Sequence, residues 1–335
     1  MVVPGSPRNF DKFFTREEMN LQEEREPEVE ALPGERWFPE ESSFAEEIRE
    51  HWGDWGVASE VNPLKAVLMR RPGEEIEDFD YKKFRFRTGI DPIKFREQHD
   101  RLADIYREQG IKVYYVKEQR RDRPNAVFMR DLVFMTPEGA IIARPAMSSR
   151  RGEERYAAQA LARIGVPILK TVNGSGVFEG ANALWVDRKT VILAAGSRTN
   201  REGFEQVARE LERIGVENIL PMQIPYGHAH IDGLLNFASH DTAMIHAPQV
   251  PYDVCSYLRK AGIKLLEAPS RTEVRETLGI NFVAIKPGLV VQPEGNPRCR
   301  ELLEGNGVEV ITVDLSEILK GWGAVHCLTA FLKRD

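Results

Sequence analysis

After about residue 58 the chain alternates helix-like stretches, with an apolar residue every three or four positions, and short apolar runs typical of strands. Five times a helix-like stretch ends in glycine followed by a β-branched residue and a strand: Gly110-Ile111, Gly165-Val166, Gly215-Val216, Gly262-Ile263 and Gly307-Val308. Glycine stops the helix in the left-handed conformation at low steric cost, and the β-branched residue starts the next strand. The five junctions lie 55, 50, 47 and 45 residues apart. VFMRD at 127–131 and RIGV at 163–166 recur 50 residues later as VFEGA at 177–181 and RIGV at 213–216. Within a unit two strand-like runs precede the helix, as in AVFMRDLVFM, GAIIARP, EERYAAQALARI and then VPILKTV. The pattern predicts an α/β fold of five ββαβ repeats around a five-fold pseudo-symmetry axis, forming one catalytic domain over 58–335. The first unit shows a single strand before its helix, KAVLMRRP, and the chain ends in an unpartnered run, VHCLTAFLK. The last strand is therefore expected to close the ring against the first unit.

Five such units point equivalent strand ends into a common central cavity, so residues at matching repeat positions should converge there. Asp131, Ala181 and Asp232 stand at offsets of 50 and 51. Glu179, His230 and Cys327 fall in the same blocks. Two facing carboxylates suit a planar cation with many donors, such as a guanidinium, through paired charge-assisted hydrogen bonds. A thiol beside a bound cation and a histidine is shifted toward the reactive thiolate. Cys327 is then the expected nucleophile, with His230 protonating the leaving nitrogen and later deprotonating water, and Glu179 orienting the imidazole.

Charge changes the picture only at the N-terminus. The net charge is -6 overall, but residues 1–50 carry 14 acids and 6 bases, leaving the remainder near neutral. Residues 1–57 read as an acidic, proline-bearing extension, with Trp37 and Phe38 as anchors to the body. No basic stripe suggests nucleic acid, and no apolar run approaches the roughly 18 residues of a membrane helix. The opening MVVPGSPRNFDKFF lacks an apolar signal core, so a cytoplasmic address is expected, and a homo-oligomer is compatible with this composition. The 3 cysteines show no CxxC spacing, which argues against a disulfide framework. Cys255 and Cys299 sit in helical patterns and read as packed residues.

In order along the chain, NAVFMRD, FEGAN, GSRTN, HAHID and GWGAVHCLT resemble the signature blocks of the guanidine-modifying pentein superfamily, over about residues 60–335. That superfamily includes arginine deiminases, dimethylarginine hydrolases, agmatine deiminases and amidinotransferases. The resemblance implies a five-fold α/β propeller, a small-molecule guanidino substrate, no cofactor and no metal. Carried over block by block, it makes Cys327 the nucleophile, His230 the general acid and base, Glu179 its partner, and Asp131 and Asp232 the guanidinium clamp. It further implies a covalent amidino-thioether that is hydrolysed or transferred. Asn125, Arg150 and Arg198 stand at spacings similar to those of arginine deiminases, where the equivalent residues bind the amino-acid end of the substrate, and arginines there suit a carboxylate. Asp232 resembles the deiminases more than the dimethylarginine hydrolases. The expected reaction is L-arginine to citrulline and ammonia, with dimethylarginine hydrolysis, amidino transfer to an amine, or a non-enzymatic binding role as alternatives.

Two positions depart from the family pattern: Asn182 stands where an aspartate is usual, and Trp322 interrupts the glycine run before Cys327. Trp322 is expected to pack beneath the pocket. HAHID, read as a strand, places His228, His230 and Asp232 on one face at a spacing that fits zinc, but no further His/Cys cluster completes such a site. His326 precedes Cys327 and, if the segment is a strand, points the other way, which places it behind the reacting groups and not among them.

Overall fold

The computed structural model describes residues 41–118 and 120–335. Among these, fifteen strands form five three-stranded sheets. Strands β1 (Leu64–Met69) and β2 (Lys112–Tyr115) flank the helix Pro92–Glu108. Strands β3 (Val133–Thr136), β4 (Gly139–Ile142) and β5 (Ile168–Thr171) enclose the helix Glu153–Arg163. The next unit is β6 (Ala183–Asp187), β7 (Thr190–Ala195), the helix Arg201–Arg213 and β8 (Asn218–Gln223). Then come β9 (Leu235–Ser239), β10 (Thr242–Ile245), the helix Tyr252–Lys260 and β11 (Lys264–Glu267). The last full unit holds β12 (Val283–Lys286), β13 (Leu289–Pro293), the helix Pro297–Glu304 and β14 (Glu309–Val313), after which β15 (Ala330–Arg334) ends the chain.

Each sheet pairs its first two strands antiparallel and its last two parallel, as β3 with β4 and β4 with β5. A parallel pair needs a crossover, and the helix of each unit supplies it. In the first unit β15 takes the missing place, antiparallel to β1 with Val67 opposite Phe331. The chain is thus the expected five-fold α/β propeller of ββαβ repeats, closed by its last strand. Each helix buries one stripe, as Leu102, Ala103, Ile105 and Tyr106 do in the first.

One compact unit runs from Ser43 to Asp335. Phe44–His51 form a helix, and Gly56 bridges Lys333 of β15. Residues 1–40 of the acidic extension, with Trp37 and Phe38, lie outside the described residues. Among the described residues no helix is long and apolar enough to cross a membrane.

Three local expectations change. Of AVFMRDLVFM only Val133–Thr136 is strand, because Pro124–Val127 and Met129–Asp131 form 3-10 turns before it. Ile231–Gly233 is likewise a 3-10 turn, so HAHID is not a strand. Val325–Leu328 form a four-residue helix before β15, so Cys327 sits on a helical turn.

Candidate active site

The turns that displaced the expected strand ends are what carry the site. Met129–Asp131, Gly180–Asn182, Ile231–Gly233 and Val325–Leu328 each immediately precede the first strand of a unit. They bring Asp131, Glu179, His230, Asp232 and Cys327 together although these residues span nearly 200 positions of the chain. A cavity of about 850 Å³ is lined by Asp131, His230, Asp232 and Cys327, together with Asn125, Arg150 and Arg198. Glu179 stands behind His230, fully buried.

His230 Nε2 lies 2.6 Å from Glu179 Oε2, and His230 Nδ1 lies 3.6 Å from Asp131 Oδ1. Burial disfavours the charged imidazole, but the negative charges of Asp131 and Glu179 outweigh it and raise His230 above the ordinary histidine value. Burial would likewise push Glu179 up; its hydrogen bond to His230 and the charges of His230, Arg198 and Arg150 prevail and hold it at about 2. Arg198 reaches Glu179 at 3.4 Å. Linkage sets the pH window of this pair. Glu179, depressed, contributes stability above about 4.3 and loses it as pH falls; His230, raised, contributes below about 6.5 and loses it as pH rises through its folded value. Glu179→Gln should therefore lower Tm most between these limits and leave the difference from wild type smaller at pH 3 and pH 9. A constant difference in Tm across that range would contradict the pairing.

Cys327 Sγ is 3.6 Å from Asp232 Oδ2 and accepts a hydrogen bond from Asn281 Nδ2 at 3.2 Å. Burial, then the negative charges of Asp232 and Asp131, push the thiol well above its ordinary value. These charges oppose thiolate formation, and a cation bound between the two acids would remove that electrostatic opposition.

Among the described residues, two of the buried side-chain oxygens that accept no hydrogen bond belong to cavity-lining residues: Asp131 Oδ1 and Asn125 Oδ1. Buried acceptors are rarely left so, and both residues line the cavity. Arg150 does not extend freely toward a ligand. Its guanidinium pairs with Asp131 Oδ2 and donates to Glu153 Oε2 at 2.9 Å, fully buried. Glu153 is pushed up to about 7, because burial outweighs Arg150 and Arg70.

Trp322 does not pack beneath the pocket. It has φ 64°, is 53% exposed, lines the cavity, and carries the Arg87 guanidinium 3.8 Å above its ring. The next residue, Gly323, lies so close to the Phe128 ring that a Cβ there would overlap it. Among the described residues, Arg85, Leu278 and Trp322 are the non-glycine positions with positive φ, and all three line the cavity. Such conformations cost of order 1–3 kcal/mol and cluster at working sites. Asn182 is buried and donates to Thr199 Oγ1 at 3.0 Å, away from the cavity wall.

Asn281 was not among the sequence candidates. It stands 49 residues after Asp232 and 46 before Cys327, at the repeat-equivalent place ahead of β12, so the repeat offset was the available signal. On a helical turn, and not a strand, His326 lies behind the cavity lining, and its Nδ1 is 2.9 Å from Asp232 Oδ2.

The zinc pattern of HAHID does not form. Among the described residues, the group of three ligand-capable atoms within 4.8 Å of one another belongs to Asp131, Glu179 and His230. Arg150 and Arg198 already pair with two of them, so a divalent cation would meet guanidinium charge at short range. Chelators are expected to leave activity unchanged; loss on chelation and recovery with zinc would contradict this.

A family model described as N,N dimethylarginine dimethylhydrolase, eukaryotic, matches residues 75–334. The N(G),N(G)-dimethylarginine dimethylaminohydrolase of Streptomyces coelicolor is 26% identical over 272 residues, 81% of this chain and 98% of its own. An arginine deiminase of Latilactobacillus sakei is 23% identical over 403 aligned positions, 83% of this chain and 98% of its own. The dimethylarginine dimethylaminohydrolase of Pseudomonas aeruginosa, solved with citrulline, superposes with a TM-score of 0.67 at 23% identity, covering 80% of this chain and 99% of that one.

Proposed function

We propose that this chain, which belongs to the family described as N,N dimethylarginine dimethylhydrolase, eukaryotic, within the guanidine-modifying penteins, hydrolyses L-arginine to citrulline and ammonia. The observation that carries this reading is the buried Asp131 Oδ1, which accepts no hydrogen bond, in the cavity that Asp232 also lines, with Asp232 Oδ2 3.6 Å from the sulfur. Two carboxylates at one guanidinium take up its N–H donors; a dimethylated nitrogen has none to give and would leave a buried acceptor unpaired, at about 1–3 kcal/mol. Asn125 Oδ1, also unpartnered, suits the substrate's ammonium, and Arg198 its carboxylate. Arg150, engaged by Asp131 and Glu153, holds the clamp in place.

In this reading the guanidinium enters between Asp131 and Asp232, its charge offsets theirs, and Cys327 becomes competent to lose its proton. Sγ attacks the guanidinium carbon. His230 gives a proton to the departing nitrogen, which leaves as ammonia, and an amidino-thioether remains on Cys327. His230 then takes a proton from water, the hydroxide adds to the same carbon, and the C–S bond breaks to release citrulline and free thiolate. Glu179 keeps the imidazole oriented and balances its charge through both halves.

The family match supports a second reading, release of dimethylamine from dimethylarginine. Amine analysis decides between them. Arginine is expected to exceed dimethylarginine in kcat/KM by at least about tenfold, with ammonia as the amine product. Dimethylamine released faster than ammonia would overturn the arginine assignment, and transfer of a labelled amidino carbon to an added amine would overturn hydrolysis.

A further inference from the structure

The chemistry above leaves unused a chain of buried ionisable groups directly behind it. His326 is 1% exposed and lies between two carboxylates: Nδ1 is 2.9 Å from Asp232 Oδ2, and Nε2 is 3.4 Å from Glu60 Oε2. Glu60, in the segment before β1, is itself buried and accepts from Arg130 Nη2 at 3.0 Å and from the Trp185 backbone N–H at 3.2 Å. The backbone N–H groups of His326 and Cys327 both donate to Asn281 Oδ1, at 3.0 and 3.3 Å. The Phe331 ring closes the imidazole edge-on at 5.4 Å.

The oxygen that His326 holds is the oxygen that faces the sulfur. Asp232 Oδ2 is 2.9 Å from the imidazole and 3.6 Å from Cys327 Sγ. A carboxylate with a donor on that oxygen is fixed in rotation, and its charge toward the thiol is partly taken up. Without the donor, the full negative charge of Asp232 opposes thiolate formation, or the carboxylate turns from its place in the guanidinium clamp. The groups that act most on the thiol are Asp232 from the turn Ile231–Gly233, Asp131 from the turn Met129–Asp131, the Ala324 backbone and the Asn281 amide. Those around Glu60 are Arg130, His326 and Arg334, which together hold it at about 2 against the upward push of burial. Glu60 is thereby kept as an anion, an anchor that fixes the far nitrogen of the ring.

We propose that His326, anchored by Glu60, is a positioning residue that orients the Asp232 carboxylate and thereby sets the reactivity of the Cys327 thiol. The proposal rests on the site reading above only where turnover is concerned, because the thiol can be followed without substrate.

The experiment compares His326→Gln with His326→Asn. The asparagine amide nitrogen lies close to where Nδ1 was and can still donate to Asp232; the glutamine amide reaches toward Glu60 and leaves Asp232 without its donor. Alkylation of Cys327 by iodoacetamide is followed against pH in full-length protein, with the peptide holding Cys327 resolved by mass from those of Cys255 and Cys299. In His326→Gln the midpoint of the profile is expected to rise by about one pH unit or more, and kcat for the substrate to fall about 10- to 100-fold with KM changed less than about threefold. His326→Asn is expected to stay near wild type in both. Glu60→Gln should move the midpoint the same way by a smaller amount, and the double variant Glu60→Gln/His326→Gln should move it no further than His326→Gln alone. A folded His326→Gln with an unmoved midpoint overturns the proposal, as do equal shifts for Gln and Asn. If His326→Gln does not fold, an unmoved midpoint in Glu60→Gln overturns it. Failure of the arginine reading looks different: the thiol profiles shift as described while arginine is not turned over.

Discussion

Cys327→Ser is expected to lower turnover by about four to six orders of magnitude while the far-UV spectrum and Tm stay close to wild type. The sulfur is buried among Asp232, Asp131 and Asn281, and an oxygen in its place is smaller and accepts the same Asn281 hydrogen bond, so packing has little to lose. Chemistry has much to lose, because a hydroxyl beside two carboxylates is a far weaker nucleophile near neutral pH. Cys255 and Cys299 serve as internal controls. Each lies in a packed helix, and burial, the first cause for both, pushes its thiol upward, with Glu267 beside Cys255 and Glu273 beside Cys299 adding to it. Their serine variants should keep activity within a few-fold of wild type. Steady-state rates and thermal melts on the three variants check this, and residual turnover of more than about 1% in Cys327→Ser would contradict it.

Substrate polarity provides the second large effect. Asp131→Asn removes the carboxylate charge whose free oxygen lines the cavity and takes one of two counter-ions from both Arg150 and His230, at a cost of about 2–5 kcal/mol. Loss of one partner of a desolvated pair is expensive because the other stays buried and uncompensated. The expected loss in kcat/KM is on the order of 10²- to 10³-fold, and it should be alike for arginine and agmatine, which share the guanidinium head. Arg198→Ala should raise KM for arginine strongly, since only arginine has a carboxylate, and should lower kcat for both substrates to the same smaller extent, since it also removes the charge 3.4 Å from Glu179. Equal effects of Arg198→Ala on KM for both substrates, or a wild-type preference for agmatine, would contradict the polarity.

Much of this arrangement is legible in the chain itself, for a physical reason. Repeats of near-constant length must place equivalent positions on the same ring, so the offsets of 50 and 51 between Asp131, Ala181 and Asp232 carry three-dimensional information. The glycine-β-branched junctions mark each crossover because a helix end and a strand start have opposite backbone requirements. What could not be read were the turns of three or four residues, since Ile231–Gly233 and Val325–Leu328 are too short to show a helical period. A strand there would put His326 and Cys327 on opposite faces, whereas the helical turn lets both reach Asp232 Oδ2. Glu60 precedes the first repeat and belongs to no block, and Asn281 does not titrate, so neither stands out by residue type in the sequence. Arg150 was read by spacing alone, and spacing does not reveal that Asp131 and Glu153 already engage its guanidinium.

The covalent step is open to one direct measurement. Wild-type protein is mixed with arginine, quenched in acid within the first turnovers, digested and weighed by mass spectrometry. An amidino group bonded to sulfur is expected on the peptide that contains Cys327, appearing before citrulline and decaying as citrulline forms, and it should be absent from the Cys327→Ser variant. Citrulline formed at full rate with no adduct on Cys327, or with the adduct on Cys255 or Cys299, would contradict the assignment of the nucleophile.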